Sequence, residues 1–237
     1  MKRNKDIGFF VTGAGTGVGK TYACRVLAQA LSKIVDVSYM KPVQTGCVRK
    51  KNGRLVAPDF EYVKKSGVLV TGKDALHVPY VFPHECSPHL AARLAQKEIS
   101  PDTVRDCLAG ILALLGKRPS CVLVEGAGGV LVPLSATISM IHLIDRLRLP
   151  VILVTTSSLG TLNHTFLSIC ALQSCGARIA GVVMNSPCKI ARDYIYKDNM
   201  ETIRTFIKPV PFLEVKHKAE TNGATMEFCN ELAQRYL

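Results

Sequence analysis

The chain has 237 residues, of which 48% are hydrophobic and 20% are charged. This ordinary globular composition excludes an intrinsically disordered chain, a collagen-like repeat and a coiled coil. Thirty Lys and Arg against eighteen Asp and Glu give a formal net charge of +12, which favours anionic partners without choosing among them. The length suits one α/β unit, so we expect a single domain over residues 1–237.

The nine cysteines are spread along the chain without a CxxC pair. An odd number without framework spacing indicates reduced thiols rather than disulfides or a zinc site. The apolar run Ile7–Val11 is interrupted by Gly8 and is too short for the core of a signal peptide. No other uncharged stretch is apolar enough to span a bilayer. The sequence therefore predicts a cytoplasmic protein without a membrane partner.

Short apolar runs alternate with segments of helical length along the whole chain. The runs are nearly continuous in apolar residues, as is typical of strands buried on both faces of a parallel sheet. The predicted strands are Ile7–Thr12, Val35–Met40, Cys121–Glu125, Val151–Thr155 and Ile179–Asn185. The predicted helices are Lys20–Ser32, Pro88–Gln96, Pro101–Leu115, Thr161–Ser174, Arg192–Phe206 and Thr225–Tyr236. This alternation predicts an α/β fold with a doubly wound, mostly parallel sheet. The segment RKKNGR at Arg49–Arg54 predicts an exposed loop.

A glycine-rich loop, GAGTGVGKT, separates the first predicted strand from the first predicted helix. Its backbone N–H groups and the positive end of the helix dipole suit a phosphate. Lys20 would reach the β- and γ-phosphates, and the Thr21 hydroxyl would hold Mg²⁺. Five residues separate Gly13 from Gly19, where the strict P-loop has four and would need glycine in place of Ala14. The order of strand, loop, GKT and helix still predicts a P-loop nucleotide site.

Several function classes use a loop of this kind. The sequence has no NKxD motif with the spacing of a guanine site, which disfavours GTP. Partitioning-type switch ATPases bind DNA or membrane and carry a second lysine at the position of Gly15. A related P-loop amidoligase or metallochaperone would need a glutamine-hydrolysing domain or a Cys/His metal cluster. The basic clusters are scattered and lack interleaved aromatic residues, so we expect no nucleic-acid partner.

Six motifs, taken in order, resemble those of the dethiobiotin synthetases. They are GAGTGVGKT, YMKPVQTG at 39–46, SPH at 87–89, VEGAGG at 124–129, PVILVTTSSLGTLNH at 150–164 and GVVMNSP at 181–187. Together they are far more specific than a P-loop alone. The resemblance implies a ligase that uses ATP and Mg²⁺ to close 7,8-diaminononanoate with CO₂ into a cyclic urea. The route would pass through a carbamate and a carbamic–phosphoric anhydride.

The resemblance also implies a catalytic centre, which the residues themselves partly support. Lys41 ends a predicted strand, at the edge where open α/β sheets bind ligands, and the resemblance makes it catalytic together with Lys20. Glu125 follows a strand and precedes glycines that admit a ligand closely, which suits a Walker-B-like role toward Mg²⁺. Asp59 matches a second Mg²⁺ carboxylate, and Thr21 completes the predicted metal set.

The remaining contacts follow from the resemblance. The predicted nucleotide-binding residues are Gly13, Gly17, Val18, Gly19, Lys20, Thr21, Tyr22, Asp59, Glu125, Gly126, Ala127, Gly128, Asn185, Pro211, Phe212 and Leu213. An amide donates and accepts, so Asn185 would read the adenine edge. The predicted substrate-binding residues are Thr45, Gly160, Thr161, Leu162 and Asn163. The last four would come from the partner subunit of a homodimer and hold the substrate carboxylate at a helix N-terminus. Gly15 stands where the family usually has Asp, so we expect differently tuned binding of Mg²⁺–ATP.

Overall fold

The computed structural model describes residues 8–115, 119–186, 194–216 and 221–237. Within these ranges the strands β1–β10 are Gly8–Gly13, Asp36–Met40, Val43–Gln44, Val48–Arg49, Leu55–Val56, Tyr80–Val81, Ser120–Glu125, Val151–Thr156, Ile179–Asn185 and Phe212–Val215. The helices α1–α9 are Lys20–Leu31, Pro58–Lys64, Asp74–His77, Pro88–Leu94, Pro101–Leu114, Met140–Leu147, Thr161–Ser174, Tyr194–Ile207 and Gly223–Tyr236. None of these described helices is long and apolar enough to cross a membrane.

Six strands form the central sheet in the order β10–β9–β8–β1–β7–β2, and every neighbouring pair is parallel. Successive side chains of a strand point to opposite faces. On β1, Phe9 packs in the core beneath α1 and α9, whereas Phe10 packs in the core beneath α5, α6 and α7. Helices therefore cover both faces of the sheet, which confirms the predicted doubly wound α/β fold.

The predicted strands and helices are all present, with ends displaced by two residues or fewer wherever the residues are described. Ile7, the predicted start of the first strand, and Arg192, the predicted start of a helix, lie outside the described residues. The agreement follows from burial, because β1 and β7–β9 consist of residues that are almost all inaccessible to solvent. A continuous apolar run is therefore a dependable signal in this sheet.

The structure contains elements that the sequence did not predict, namely the helices α2, α3 and α6 and several short strands. The segment at Arg49–Arg54 is exposed as predicted, but it is a hairpin: β4 and β5 pair antiparallel around it, and Lys50 N donates to Arg54 O at 2.9 Å. The sheet also has a sixth strand, β10, whose four residues are alternately half-buried and buried. That pattern is too short and too mixed to stand out as an apolar run.

The carboxyl ends of the parallel strands meet at one edge of the sheet. The glycine-rich loop leaves β1 there, Lys41 follows β2, and Glu125 ends β7. Because β7 lies between β1 and β2, the sheet brings these three features together despite their separation in sequence. This edge is where ligands of open α/β folds bind.

Candidate active site

The glycine-rich loop is tied to the sheet at its start and opens into α1 at its end. Ala14 N donates to Val154 O at 2.9 Å. Gly17 and Gly19 have φ of +74° and +88°, in the left-handed region that favours glycine. Gly19 is the N-cap of α1 and provides no side-chain cap. The first N–H groups of the helix therefore lack a side-chain acceptor and suit an anion.

Lys20 folds back over this loop. Its side chain is buried, and Nζ donates to Gly15 O at 3.0 Å. Burial lowers the pKa of Lys20 to about 8, against the opposing effect of the Glu125 carboxylate. A bound phosphate would favour the charged ammonium.

Because only the ammonium attracts phosphate, we expect ADP affinity to depend on pH above neutrality. With a pKa of about 8 in the nucleotide-free protein, binding should weaken about tenfold between pH 7 and pH 9 as the lysine loses its proton. The measurement is ADP binding by calorimetry in EDTA. Lys20→Met should bind ADP weakly at every pH with no such slope, and a wild-type affinity constant over this range would contradict the assignment.

Asn185, at the end of β9, contacts the glycine-rich loop. Its side chain is buried, and Nδ2 donates to Val18 O at 3.0 Å, whereas Oδ1 is buried without a partner. A Cβ added at Gly19 would lie 1.9 Å from Asn185 Nδ2. The amide therefore presents an unused acceptor beside the nucleotide loop, and the loop leaves no room for a side chain at Gly19.

Gly19→Ala should weaken nucleotide binding through two separate effects, the clash with Asn185 and the positive φ. We expect a loss of at least tenfold in ADP affinity, since the left-handed conformation alone costs about 1–2 kcal/mol for a residue with a Cβ. The measurement is calorimetric titration with ADP. Combining Gly19→Ala with Asn185→Ala removes the clash together with the other contacts of Asn185, so the comparison is with Asn185→Ala alone. Equal ADP affinity in the single Asn185→Ala and double variants would contradict a backbone contribution.

Lys41 lies between two carboxylates at the edge of the sheet. Its Nζ is 2.5 Å from Glu125 Oε1 and 2.8 Å from Asp59 Oδ2. Burial alone would lower the pKa of Lys41, but Glu125 and Asp59 outweigh it and hold that pKa above its usual value. The lysine is therefore a buried, permanently charged cation, 84 residues from one of its partners in sequence.

Glu125 is fully buried and has polar partners on both carboxylate oxygens. Oε1 accepts from Thr21 Oγ1 at 2.8 Å and from Lys41 Nζ, whereas Oε2 accepts from Tyr39 Oη at 2.6 Å. The neighbouring Cys24 thiol stays protonated, because burial and then Glu125 raise its pKa. The carboxylate is thus held in one orientation by groups from α1 and β2.

Gln44 joins the centre as a residue that the sequence analysis did not select. Its Oε1 accepts from Asp59 N at 3.3 Å, and its Nε2 donates to Thr45 O at 3.0 Å. Because α2 has no side-chain cap from its own N-cap residue, Gln44 supplies this acceptor at the start of the helix. The amide thereby fixes the helix end that carries Asp59 toward Lys41.

A cavity of about 310 Å³ joins the loop to this charged centre. It is lined by Thr16, Gly17, Gly19, Lys20, Thr21, Lys41, Val43, Gln44, Thr45, Asp59, Glu125, Ala127 and Gly128. Ten of these were selected from the sequence, and Thr16, Val43 and Gln44 are additions of the structure, as is Tyr39 behind Glu125. All four lie within the motifs GAGTGVGKT and YMKPVQTG, but their residue types are common in strands and turns and do not by themselves indicate a role in a site.

Two further groups of predicted site residues do not line this cavity. Gly160–Asn163 begin α7, whose next turns line a second cavity of about 420 Å³ on the opposite side of the glycine-rich loop. Pro211–Leu213 lie at the start of β10, and the register places Val215 opposite Asn185. The residue pair at the ligand edge is therefore Asn185 and Val215, and the base-lining role of Pro211–Leu213 stays a prediction.

The oxygen atoms around Lys41 fit a divalent cation shared with phosphates. The ammonium is itself a stand-in cation, since it is held by the carboxylates of Glu125 and Asp59 with the Thr21 hydroxyl alongside. Among the described residues, no group of three or more His, Cys, Asp and Glu could hold a metal by itself. Mg²⁺ in nucleotide sites uses one or two carboxylates and completes its shell with phosphate and water, which is what this centre provides.

The chain is similar to known proteins along most of its length. Residues 8–219 match the family described as the AAA domain. The chain is 37% identical to the ATP-dependent dethiobiotin synthetase BioD of Fusobacterium nucleatum over 210 residues, covering 88% of this chain and 91% of that protein. It is 32% identical to the protein of the same name from Methanocaldococcus jannaschii over 196 residues, covering 82% and 86% of the two chains.

The chain belongs to the dethiobiotin synthetase family. The enzyme is an ATP-dependent ligase, as the names of these relatives state. Both the family and the enzyme class predicted from the six motifs are therefore confirmed.

Solved structures place the synthetase among P-loop ATPases by fold alone. A plasmid partition protein of Borrelia burgdorferi, solved with AMPPNP, superposes with a TM-score of 0.57 at 13% identity, over 99% of this chain and 100% of that one. The hydrogenase maturation factor HypB of Archaeoglobus fulgidus superposes with a TM-score of 0.54 at 14% identity, over 98% and 91%. Sequence identities this low indicate a shared fold and not a shared activity.

Proposed function

We propose that this single-domain synthetase closes 7,8-diaminononanoate with CO₂ into dethiobiotin, using Mg²⁺–ATP and releasing ADP and phosphate. The observation that carries the proposal is the Lys41 ammonium, buried between Glu125 and Asp59 in the same cavity as the phosphate loop. A fixed cation beside a phosphoryl-transfer site suits a reaction whose intermediates are anionic.

The chemistry accounts for the need for two lysines. An amine and CO₂ form a carbamate, whose carbon is a poor electrophile because it carries an oxyanion. Transfer of the γ-phosphoryl group to a carbamate oxygen gives a carbamic–phosphoric anhydride. The second amine then attacks that carbon, phosphate leaves and the ring closes, with a gain of several kcal/mol from proximity within one molecule. Lys41 stabilises the carbamate, and Lys20 stabilises the phosphates.

Different side chains of the cavity would hold the metal ion, the carbamate and the diamine. When bound, Mg²⁺ would neutralise negative charge on the phosphates. Thr21, Asp59 and Glu125 are its protein ligands in this proposal. With both carboxylates engaged by Mg²⁺, the Lys41 ammonium would be available to the carbamate. Thr45, at the wall of the same cavity, contacts the diamine.

Asn185 supports adenine as the base. Its Nδ2 already donates to Val18 O, so the free group is the Oδ1 acceptor. The exocyclic amine of adenine can donate to this oxygen, whereas the corresponding carbonyl of guanine cannot.

The start of α7 supports a homodimer with a shared site. Thr161 is held by the buried hydroxyls of Thr155 and Thr165 at 2.8 and 3.4 Å, which fixes the first turn of a 14-residue helix. Next to it Leu159 is 86% exposed, and Leu131 and Leu167, also exposed, line the second cavity. An apolar surface of this kind favours a partner, and the helix N-terminus would offer its N–H groups to the substrate carboxylate of that partner's site.

A cytoplasmic location is also part of the proposal. All eight cysteines of the described residues are free. Unpaired thiols in this number are typical of a reducing compartment.

The deciding experiment is phosphate release from Mg²⁺–ATP with and without the diamine and bicarbonate. Release that needs both, with labelled carbon entering a cyclic urea, supports the proposed ligase. Release that is indifferent to the diamine contradicts it and favours a switch ATPase or another substrate. Sedimentation with and without the substitution Leu159→Asp tests the dimer, and a monomeric wild-type protein with full activity would contradict the shared site.

A further inference from the structure

Tyr39 contacts the charged centre from behind. It lies on β2 and is fully buried, with its ring stacked on Phe60 at 6.2 Å between centroids. Its carbonyl oxygen lies 2.7 Å from His77 Nδ1. Its hydroxyl donates to Glu125 Oε2 at 2.6 Å, across 86 residues of sequence. The tyrosine is therefore fixed by contacts at its ring, its backbone and its hydroxyl.

The two carboxylate oxygens of Glu125 contact different groups. Oε1 faces the Thr21 hydroxyl and the Lys41 ammonium, on the side of the cavity. Oε2 accepts from Tyr39, and the buried Cys24 thiol interacts with the same carboxylate. A carboxylate with one oxygen tied in this way cannot rotate without leaving a buried donor and a buried acceptor unpaired. The hydroxyl of Tyr39 thus helps to fix the plane of the carboxylate, with one oxygen facing the cavity.

We propose that Tyr39 is a positioning residue for the divalent cation, because its hydroxyl ties Glu125 Oε2 and thereby presents Oε1 beside Thr21 toward the cation. This inference rests on the proposed Mg²⁺ role of Glu125 and Thr21. Partners that orient a metal-binding carboxylate typically affect metal affinity by 10- to 100-fold. Phenylalanine keeps the ring and its stacking on Phe60, so only the hydroxyl is removed.

The test is Mn²⁺ binding to Tyr39→Phe in the presence of ADP, followed by electron paramagnetic resonance. We expect about tenfold weaker Mn²⁺ binding than in the wild type, with unchanged ADP affinity in EDTA. The matched control is Tyr80→Phe, which removes a hydroxyl that accepts from Ser100 N outside the cavity. That control should lower thermal stability and leave Mn²⁺ binding as it is.

A double-mutant comparison separates positioning from general loosening. In the Glu125→Gln background, Tyr39→Phe should weaken Mn²⁺ binding much less than tenfold, because the oriented carboxylate is already absent. Equal effects in both backgrounds, or Mn²⁺ affinity of Tyr39→Phe equal to that of the wild type, would overturn the inference. Failure of the wild-type protein to bind Mn²⁺ with ADP would instead count against the proposed metal site itself.

A measurement on the wild-type protein covers the case in which Tyr39→Phe does not fold. The chain has seven tyrosines and no tryptophan, so tyrosine absorbance is not masked. Titration of the ADP-saturated protein with Mg²⁺ should give a tyrosine difference spectrum that persists in Tyr22→Phe and in Tyr80→Phe, because the acceptor of the Tyr39 hydroxyl becomes engaged. Absence of that signal at saturating Mg²⁺ would overturn the inference.

Discussion

Lys41→Met should reduce turnover on the order of 10³-fold, the cost of removing a preorganised charge at a site where negative charge develops. ADP affinity measured in EDTA should stay close to that of the wild type, because Lys41 contacts carboxylates rather than the glycine-rich loop. The measurement is dethiobiotin formation under saturating substrates. Turnover within tenfold of the wild type would show that the catalytic assignment is wrong.

The same variant should bind Mn²⁺ more tightly. In the wild type, the ammonium holds the carboxylates of Glu125 and Asp59, and a divalent cation must displace it from them. Without the ammonium, Glu125 is a buried charge without its cationic partner, which costs several kcal/mol of stability. We therefore expect a melting temperature that falls in EDTA and recovers with Mn²⁺. Lys64→Met, which removes an exposed ion pair with Asp74 and a cation–π contact with Phe60, should show neither the tighter Mn²⁺ binding nor the Mn²⁺-dependent recovery of the melting temperature.

Glu125→Gln should raise the Mg²⁺ concentration needed for half-maximal activity at least tenfold and lower turnover by about 10²-fold. An amide has one acceptor oxygen, whereas the carboxylate accepts from Thr21, Lys41 and Tyr39. The amide must therefore turn its NH₂ group toward at least one donor. The measurement is initial rate against Mg²⁺ at saturating ATP.

The control for this substitution is Glu98→Gln, because Glu98 is exposed and lies outside the cavity. It should leave the Mg²⁺ dependence as it is in the wild type. An unchanged Mg²⁺ requirement in Glu125→Gln would contradict its role as a metal ligand.

The strands and the phosphate loop could be predicted from the sequence because their signals are local. A continuous apolar run predicts a strand buried on both faces, and β1 and β7 meet that description. Glycines followed by GKT and a helical pattern predict the loop. Glu125 could be selected because a carboxylate at a strand end before glycines is an unusual setting.

The second layer of the site depends on contacts between distant segments. Tyr39 in an apolar strand is indistinguishable from a core aromatic until β7 is placed beside β2, which brings Glu125 to its hydroxyl. Gln44 belongs to a turn motif, yet its role comes from reaching the backbone of Asp59. Sequence periodicity contains no information on such pairings, because they are set by strand order.

Strand order also separates the two kinds of recognition in this enzyme. On one side of β1 lie β7 and β2, which end in Glu125 and Lys41; on the other side lie β8 and β9, which lead to the start of α7 and to Asn185. In the proposed function, the residues for phosphoryl transfer therefore lie on one side of β1, and those proposed to contact the base and the substrate carboxylate lie on the other. Mutations that retune ligand choice can accumulate on one flank while the reacting centre on the other stays intact. This modular layout makes the protein a suitable starting point for engineering ligases that close other diamines.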